Sequence, residues 1–335
     1  MPYTLFQGGR KRRRRRAPAV LALLVVLAVG AAAFVWTSRD TPGRRPSAPA
    51  PRTELPLQAS GTAPLAGGGT APSPLAVRLE DPRDPVRVQF KHSPRAGLMF
   101  DIDTGRVLWR RAPTRVLPIA SLTKMMTALV VTDRVPPGSK VLVTKEALRY
   151  KGSGVGLLPR GKWIGVNTML HGLLLPSGND AAIALAQRAG KTVPGFVALM
   201  NERAQRMGLL CTRYSSPDGF TNLGNHSCAS DLAAVARAVL RVPRLARIVR
   251  RREAVLPFPI KGHKLYLYNS NPLLRQGYPG ITGLKTGYTV AAGRCLVATA
   301  RRGALKIGVV LLHSPDPAGQ ATKLLNRGFR VERTG

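Results

Sequence analysis

Ser121 and Lys124 stand three positions apart at the start of "SLTKMMTALVVTD", where Leu122, Met125, Met126 and Leu129 recur with a helical period. On a helix that spacing leaves two side chains about 60° apart and one turn along, within contact reach. A serine hydroxyl is a weak nucleophile at neutral pH and needs a base beside it. A lysine can serve if burial or a second cation lowers its pKa. Backbone N–H groups at a helix start also face any negative charge that develops there. Alone, the pair describes a capped helix start with a surface lysine equally well.

Two further patterns offer complementary groups. Ser177 and Asn179 lie in "PSGND", a break between two apolar segments, and breaks are where side chains turn into clefts. Lys285, Thr286 and Gly287 precede the apolar run Cys295, Leu296, Val297 and Ala298, which reads as a buried strand. A cation and a hydroxyl on a strand edge suit a carboxylate, and glycine allows backbone to approach closely. Each pattern is commonplace by itself. Together, S-x-x-K, S-x-N and K-T-G occur in order, on a helix start, an inter-helix loop and a strand.

That set resembles the penicillin-recognising serine enzymes. From about Gly97 to Phe329 the chain resembles their D-alanyl-D-alanine carboxypeptidase branch. "PIASLTKMMTAL", "LLLPSGNDAAIALA", "ALMNERAQRMGL", "LYNSNPLL" and "GLKTGYTVAAGRCLVATA" all look like that branch. The resemblance implies a serine peptidase that removes the terminal D-alanine from peptidoglycan stem peptides and is acylated by β-lactams. It implies Ser121 as nucleophile, Lys124 as its base and Ser177 as proton relay to the leaving amine. Asn179, Lys285, Thr286 and Gly287 would bind substrate, and the N–H groups of Ser121 and Tyr288 would form the oxyanion hole. No metal or organic cofactor is implied. Gly178 and the lack of a Glu-x-x-Leu-Asn segment favour the carboxypeptidases over class A β-lactamases. A D,D-endopeptidase using the same residues is the alternative, ahead of a β-lactamase or a non-catalytic envelope-binding module. Two departures stand out: "HSPDPAGQ" lacks the basic residue some members place before the last helix, and only 48 residues follow Gly287.

These residues need a scaffold. "AGLMFDIDTGRVLWRR" reads as a hairpin turning at Asp103, Thr104 and Gly105. Helical periods follow in 121–133, 167–190, 195–209 and 229–242, the last with Ser230 or Asp231 as its cap. "RCLVATARRG" and "LKIGVVLLHS" read as strands and "AGQATKLLNRGF" as a closing helix. The order predicts α+β: an antiparallel sheet built from both chain ends, flanked by helices, with a mainly helical insert. By resemblance this is the β-lactamase/transpeptidase-like fold.

The 335 residues include 52 Lys and Arg against 16 Asp and Glu, a balance that alone would suggest nucleic acid. The N-terminus argues otherwise. Residues 1–16 end in seven consecutive cations, and the uncharged run 17–36 is about 20 residues, enough to span a bilayer as a helix. A membrane anchor with the rest outside the cytoplasm is expected. A signal peptide cleaved near Ala31, Ala32 and Ala33 is the rival. Residues 37–87, rich in Pro and Gly, read as a disordered linker and 88–335 as the catalytic domain. From Val88 onward 38 basic residues still face 11 acidic ones, densest in "RVPRLARIVRRR", 241–252. That stretch suggests attraction to envelope polyanions or anionic lipid heads, though its Val and Leu also fit an ordinary amphipathic helix. Outside the cytoplasm Cys211 and Cys228 could close a disulfide, while Cys295 reads as a buried small hydrophobe.

Overall fold

The computed structural model describes residues 73–334 except Pro82, 221–223 and Ile260. The expected basic N-terminus, anchor segment 17–36 and most of the linker lie outside the described residues. β1 (Ala96–Asp101) and β2 (Val107–Arg111) form the expected hairpin. Asp101 fixes its turn by accepting from the N–H and hydroxyl of Thr104 at 2.6 and 2.7 Å, and Gly105 takes the left-handed φ of +76° that closes it. After β3 (Leu117–Pro118), a 3-10 turn over Ala120–Thr123 runs straight into α1 (Lys124–Arg134). The ribbon of β4 (Lys140–Leu142) and β5 (Trp163–Gly165) leads to α2 (Val166–Leu174), α3 (Asn179–Gly190) and α4 (Val193–Arg206). β6 (His226–Ser227) pairs with β3, ahead of α5 (Ala229–Arg241) and α6 (Pro243–Val249). A second ribbon, β7 (Glu253–Pro257) with β8 (Lys264–Tyr268), precedes the short α7 (Pro272–Arg275). The chain closes with β9 (Ile281–Thr289), β10 (Gly293–Arg302), β11 (Leu305–Leu312) and α8 (Pro317–Thr334).

The main sheet has the order β2-β1-β11-β10-β9, antiparallel throughout, so both ends of the domain do build it. Its period-2 alternation feeds two cores. Leu98, Phe100, Val297, Val310 and Leu312 face the helical region around α1 and α5. Met99, Leu296, Ala298, Val309 and Leu311 face α8, which buries Leu324, Leu325 and Phe329 against them. Each of those α8 side chains contributes about 1.5–3 kcal/mol by leaving water. β9 is one of the two edge strands of the sheet, and K-T-G sits on it.

Three expectations need correction. The domain begins before Val88: Val77 and Val86 are buried, Arg237 holds the carbonyls of Leu75 and Ala76, and Arg110 grips Asp84. Proline density in this stretch marks an irregular path, which here is docked along the surface. Neither Ser230 nor Asp231 caps α5; Cys228 holds the N-cap position, and Asp231 instead accepts from the Cys211 N–H and Thr212 hydroxyl. The basic stretch 241–252 is not one helix, because Pro243 opens α6 immediately after α5.

Candidate active site

Lys124 is the centre of the site. Its side chain is fully buried in the first turn of α1, and Nζ donates to Ser121 Oγ at 2.9 Å, Asn179 Oδ1 at 2.6 Å and the Asp218 carbonyl at 2.7 Å. The helix-start spacing of Ser121 and Lys124 thus becomes a direct hydrogen bond. Burial pulls the Lys124 pKa down to about 8, although Asp218 and Asp180 draw it back upward. Ala120, just before Ser121, takes a left-handed φ of +48°, so the backbone bends sharply there to present the hydroxyl.

Ser177 and Asn179 arrive on the break between α2 and α3. Ser177 also has a left-handed φ, +69°, and its buried Oγ has no hydrogen-bond partner among the described residues. The hydroxyl is thus left free to bond an incoming group. Asn179 is held at both ends: Nδ2 donates to the Lys151 carbonyl at 2.5 Å, which obliges Oδ1 to face Lys124. Its neighbour Asp180 accepts from the N–H groups of Val155 and Gly156, tying the loop 151–156 against α3.

The Asp218 carbonyl belongs to a loop that the sequence motifs do not mark. Asn225 organises it, accepting from the N–H groups of Ser215 and Ser216 and donating to Thr123 Oγ1. The Pro217 carbonyl accepts from Thr127 at 2.6 Å. Gly219, at φ +77°, lies so close that a Cβ there would be 2.0 Å from the Ala120 carbonyl. Cys211 and Cys228 are joined, closing this loop at its base. Replacing both cysteines by serine should lower stability by about 3 kcal/mol, as expected for a loop of this length. Chemical denaturation checks the loss. The acylation rate should fall with it, because the loop supplies one acceptor of Lys124.

β9 forms the opposite wall. Lys285 is buried and donates to the Thr286 carbonyl at 2.9 Å; desolvation first, then Lys124, holds its pKa well below that of a free lysine. Thr286 Oγ1 shares a 2.7 Å hydrogen bond with Ser270 Oγ. Gly287 leaves little room for a side chain on its other flank: a Cβ would sit 3.0 Å from the Ile119 carbonyl and 3.1 Å from Ser121 N. The strand therefore runs alongside the backbone of Ser121. The Tyr288 ring is exposed at the rim.

Ser121, Ser177, Thr286, Gly287 and Tyr288 all line one cleft of about 310 Å³, with Lys124, Asn179 and Lys285 buried outside its lining. Sequence reasoning missed Ser153, Ser270 and Arg294, which line the same cleft. Arg294 is its one charged lining residue among those described. Register explains its placement: Arg294 pairs with Tyr288 and Leu296 with Thr286, so the four side chains share a face of the sheet. A signal was available, since Arg294 follows the K-T-G strand by one hairpin turn.

The chain resembles several known proteins. The family described as D-alanyl-D-alanine carboxypeptidase matches residues 84–316. D-alanyl-D-alanine carboxypeptidase DacF of Bacillus subtilis is 32% identical over 254 residues, 73% of this chain and 64% of that protein. A D-alanyl-D-alanine endopeptidase of Pseudomonas aeruginosa is 36% identical over 217 residues, covering 64% of this chain and 70% of that one. The crystal structure of the Streptomyces K15 DD-transpeptidase superposes with a TM-score of 0.69 at 30% identity, covering 73% of this chain and all of that one. The match with DacF leaves about a third of that relative's length unmatched. With its family match spanning most of the described residues and its cleft built on the three motifs, the chain belongs to the D-alanyl-D-alanine carboxypeptidase family.

Proposed function

We propose that the protein is a serine-type D-alanyl-D-alanine carboxypeptidase that removes the terminal D-alanine of peptidoglycan stem peptides. The observation that carries this is the partner set of Lys124. Asn179 Oδ1 and the Asp218 carbonyl can only accept, so they hold two N–H groups of Nζ in both charge states. Ser121 Oγ, the third partner, can also donate. When Lys124 loses a proton, its lone pair therefore points at the Ser121 hydroxyl. Oγ attacks the carbonyl carbon of the penultimate D-alanine and its proton passes to Nζ. The N–H groups of Ser121 and Tyr288 receive the oxyanion. Ser177 relays the proton held on Nζ, giving its own to the amine of the departing D-alanine and taking that one in its place, and water then cleaves the ester on Ser121.

Asn179, Lys285 and Thr286 hold the substrate in this reading, and Arg294 supplies fixed charge for its terminal carboxylate. The last assignment compensates for "HSPDPAGQ", which brings no cation. Arg294→Gln should raise KM for a D-Ala-D-Ala peptide about tenfold with a smaller change in kcat, the expected loss of one charge-assisted contact. Steady-state release of D-alanine separates the two constants.

The reading as a whole is tested by incubating the protein with a stem pentapeptide and measuring free D-alanine. Release that stops on prior treatment with benzylpenicillin supports it; no release from any D-Ala-D-Ala peptide counts against it. The endopeptidase relative favours one second reading, cleavage of 4–3 cross-links by the same residues. Cross-linked muropeptides consumed faster than monomeric ones would select it. Attachment through residues 17–36, with the catalytic domain outside the cytoplasm, completes the proposal and follows from the uncharged run after seven cations.

A further inference from the structure

Beneath the corner between α5 and α6, on the helical side of the sheet, lies a cavity of about 520 Å³ that is separate from the cleft. Thr282 of β9 lines it, three residues and so about 10 Å along the strand from Lys285. Its walls gather Arg237 and Arg241 from α5, Arg247 and Arg250 from α6 and its end, Arg301 from β10 and Lys306 from β11. The one carboxylate in the lining, Asp103, pairs with Lys306 at 3.0 Å.

The remaining cations differ in how they are held. Arg237 is buried and spends its donors on the carbonyls of Leu75, Ala76, Ile102 and Asp103, which fix it without neutralising it. Burial and the nearby Arg241 both push its pKa down. The Arg301 guanidinium donates to the Gly303 carbonyl. Arg241, Arg247 and Arg250 have no ion-pair partner among the described residues. Several like charges around one concavity repel one another unless an anion joins them. Leu240, Pro243 and Ala246 add an apolar portion to the same wall.

We propose that this cavity binds a small organic phosphate ester. Several guanidiniums around one cavity whose single carboxylate is already paired match the several oxygens of a phosphate better than a single carboxylate. The apolar part of the wall accepts the carbon backbone of the ester. A cavity of this volume is the size of an ordinary small-molecule site. Its concavity favours a soluble phosphate ester over the surface of a bilayer, whose headgroups would meet a flat or convex patch. The site is independent of the peptidase reading, since none of these residues lines the cleft.

The test uses calorimetric titration of the full chain in non-ionic detergent with glycerol 3-phosphate, a glycerol phosphate oligomer and, separately, phosphatidylglycerol added to the micelles. Three proteins are compared: wild type, Arg247→Gln/Arg250→Gln, and Arg160→Gln/Arg327→Gln. The last pair removes the same charge from exposed positions elsewhere. Because Arg247 and Arg250 are exposed, both variants should keep the wild-type Tm and penicillin labelling. The soluble esters should bind wild type, at least tenfold more weakly to the cavity variant, and within twofold of wild type to the control. Equal weakening in both variants would mean only general attraction to an Arg-rich surface and would overturn the site. So would a wild type that ignores the soluble esters, including one that responds only to phosphatidylglycerol.

Discussion

Ser121→Ala is expected to abolish covalent labelling by a fluorescent penicillin and to reduce D-alanine release by about five to six orders of magnitude, the usual consequence of losing a serine nucleophile. Intact mass should show one β-lactam adduct on wild type and none on the variant. The fold should be little affected. Ser121 accepts one hydrogen bond from Lys124, and the other two, which Nζ donates to Asn179 Oδ1 and the Asp218 carbonyl, remain. A change of about 0.5–1.5 kcal/mol is the scale of such a loss. Ser177 is the reason the experiment discriminates. Its unpartnered hydroxyl lines the same cleft, and if it were the nucleophile, labelling would persist in Ser121→Ala and the assigned roles would be reversed. The local geometry favours Ser121, because Lys124 hydrogen-bonds that hydroxyl and not the other.

The three motifs were legible because each joins a reactive type to a local structural signal that depends on nearby sequence alone. Ser121 and Lys124 are one helical turn apart, Ser177 is in a visible helix break, and Lys285 precedes a clear strand. The groups that tune them are not of that kind. The Asp218 carbonyl reaches Lys124 across 94 positions, as a backbone atom that any residue would supply. What recruits it is the shape of its loop, set by Asn225 and Gly219, neither of which forms a motif, and by the Cys211–Cys228 bond, which the sequence did allow. Arg294 was hidden for another reason: only the pairing register of β9 and β10 reveals which face it shares with Thr286. Gly287 reads as room for substrate backbone, and sequence cannot tell that backbone from 119–121 also runs where a side chain would be. That one antiparallel sheet joins both ends of the domain was readable from where the strands fall, though its order was not. The docking of 73–87 was not, because proline-rich chain gives no period whether it is free or packed.

Lys124→Met should separate activity from stability. Acylation by penicillin is expected to fall by about three orders of magnitude, the contribution of a well-placed general base. Stability should move little at pH 7, because two effects oppose each other. Removing the lysine deprives the buried Asn179 Oδ1 and the Asp218 carbonyl of a donor, at about 1–3 kcal/mol each. It also removes a buried ammonium. With its pKa lowered from 10.5 to about 8, Lys124 disfavours the folded state at pH 7 by about 3 kcal/mol. The sign follows from proton counting. Between pH 8 and 10.5 the unfolded chain binds this proton and the folded chain does not, so wild-type stability gains with rising pH across that window. Lys124→Met should lack that gain. The difference in unfolding free energy, wild type minus variant, should therefore increase from pH 7 to pH 10. The wild-type acylation rate should climb through about pH 8 as neutral Lys124 accumulates. A flat difference in stability together with a flat rate profile would leave Lys124 protonated throughout, and the base would have to be another group.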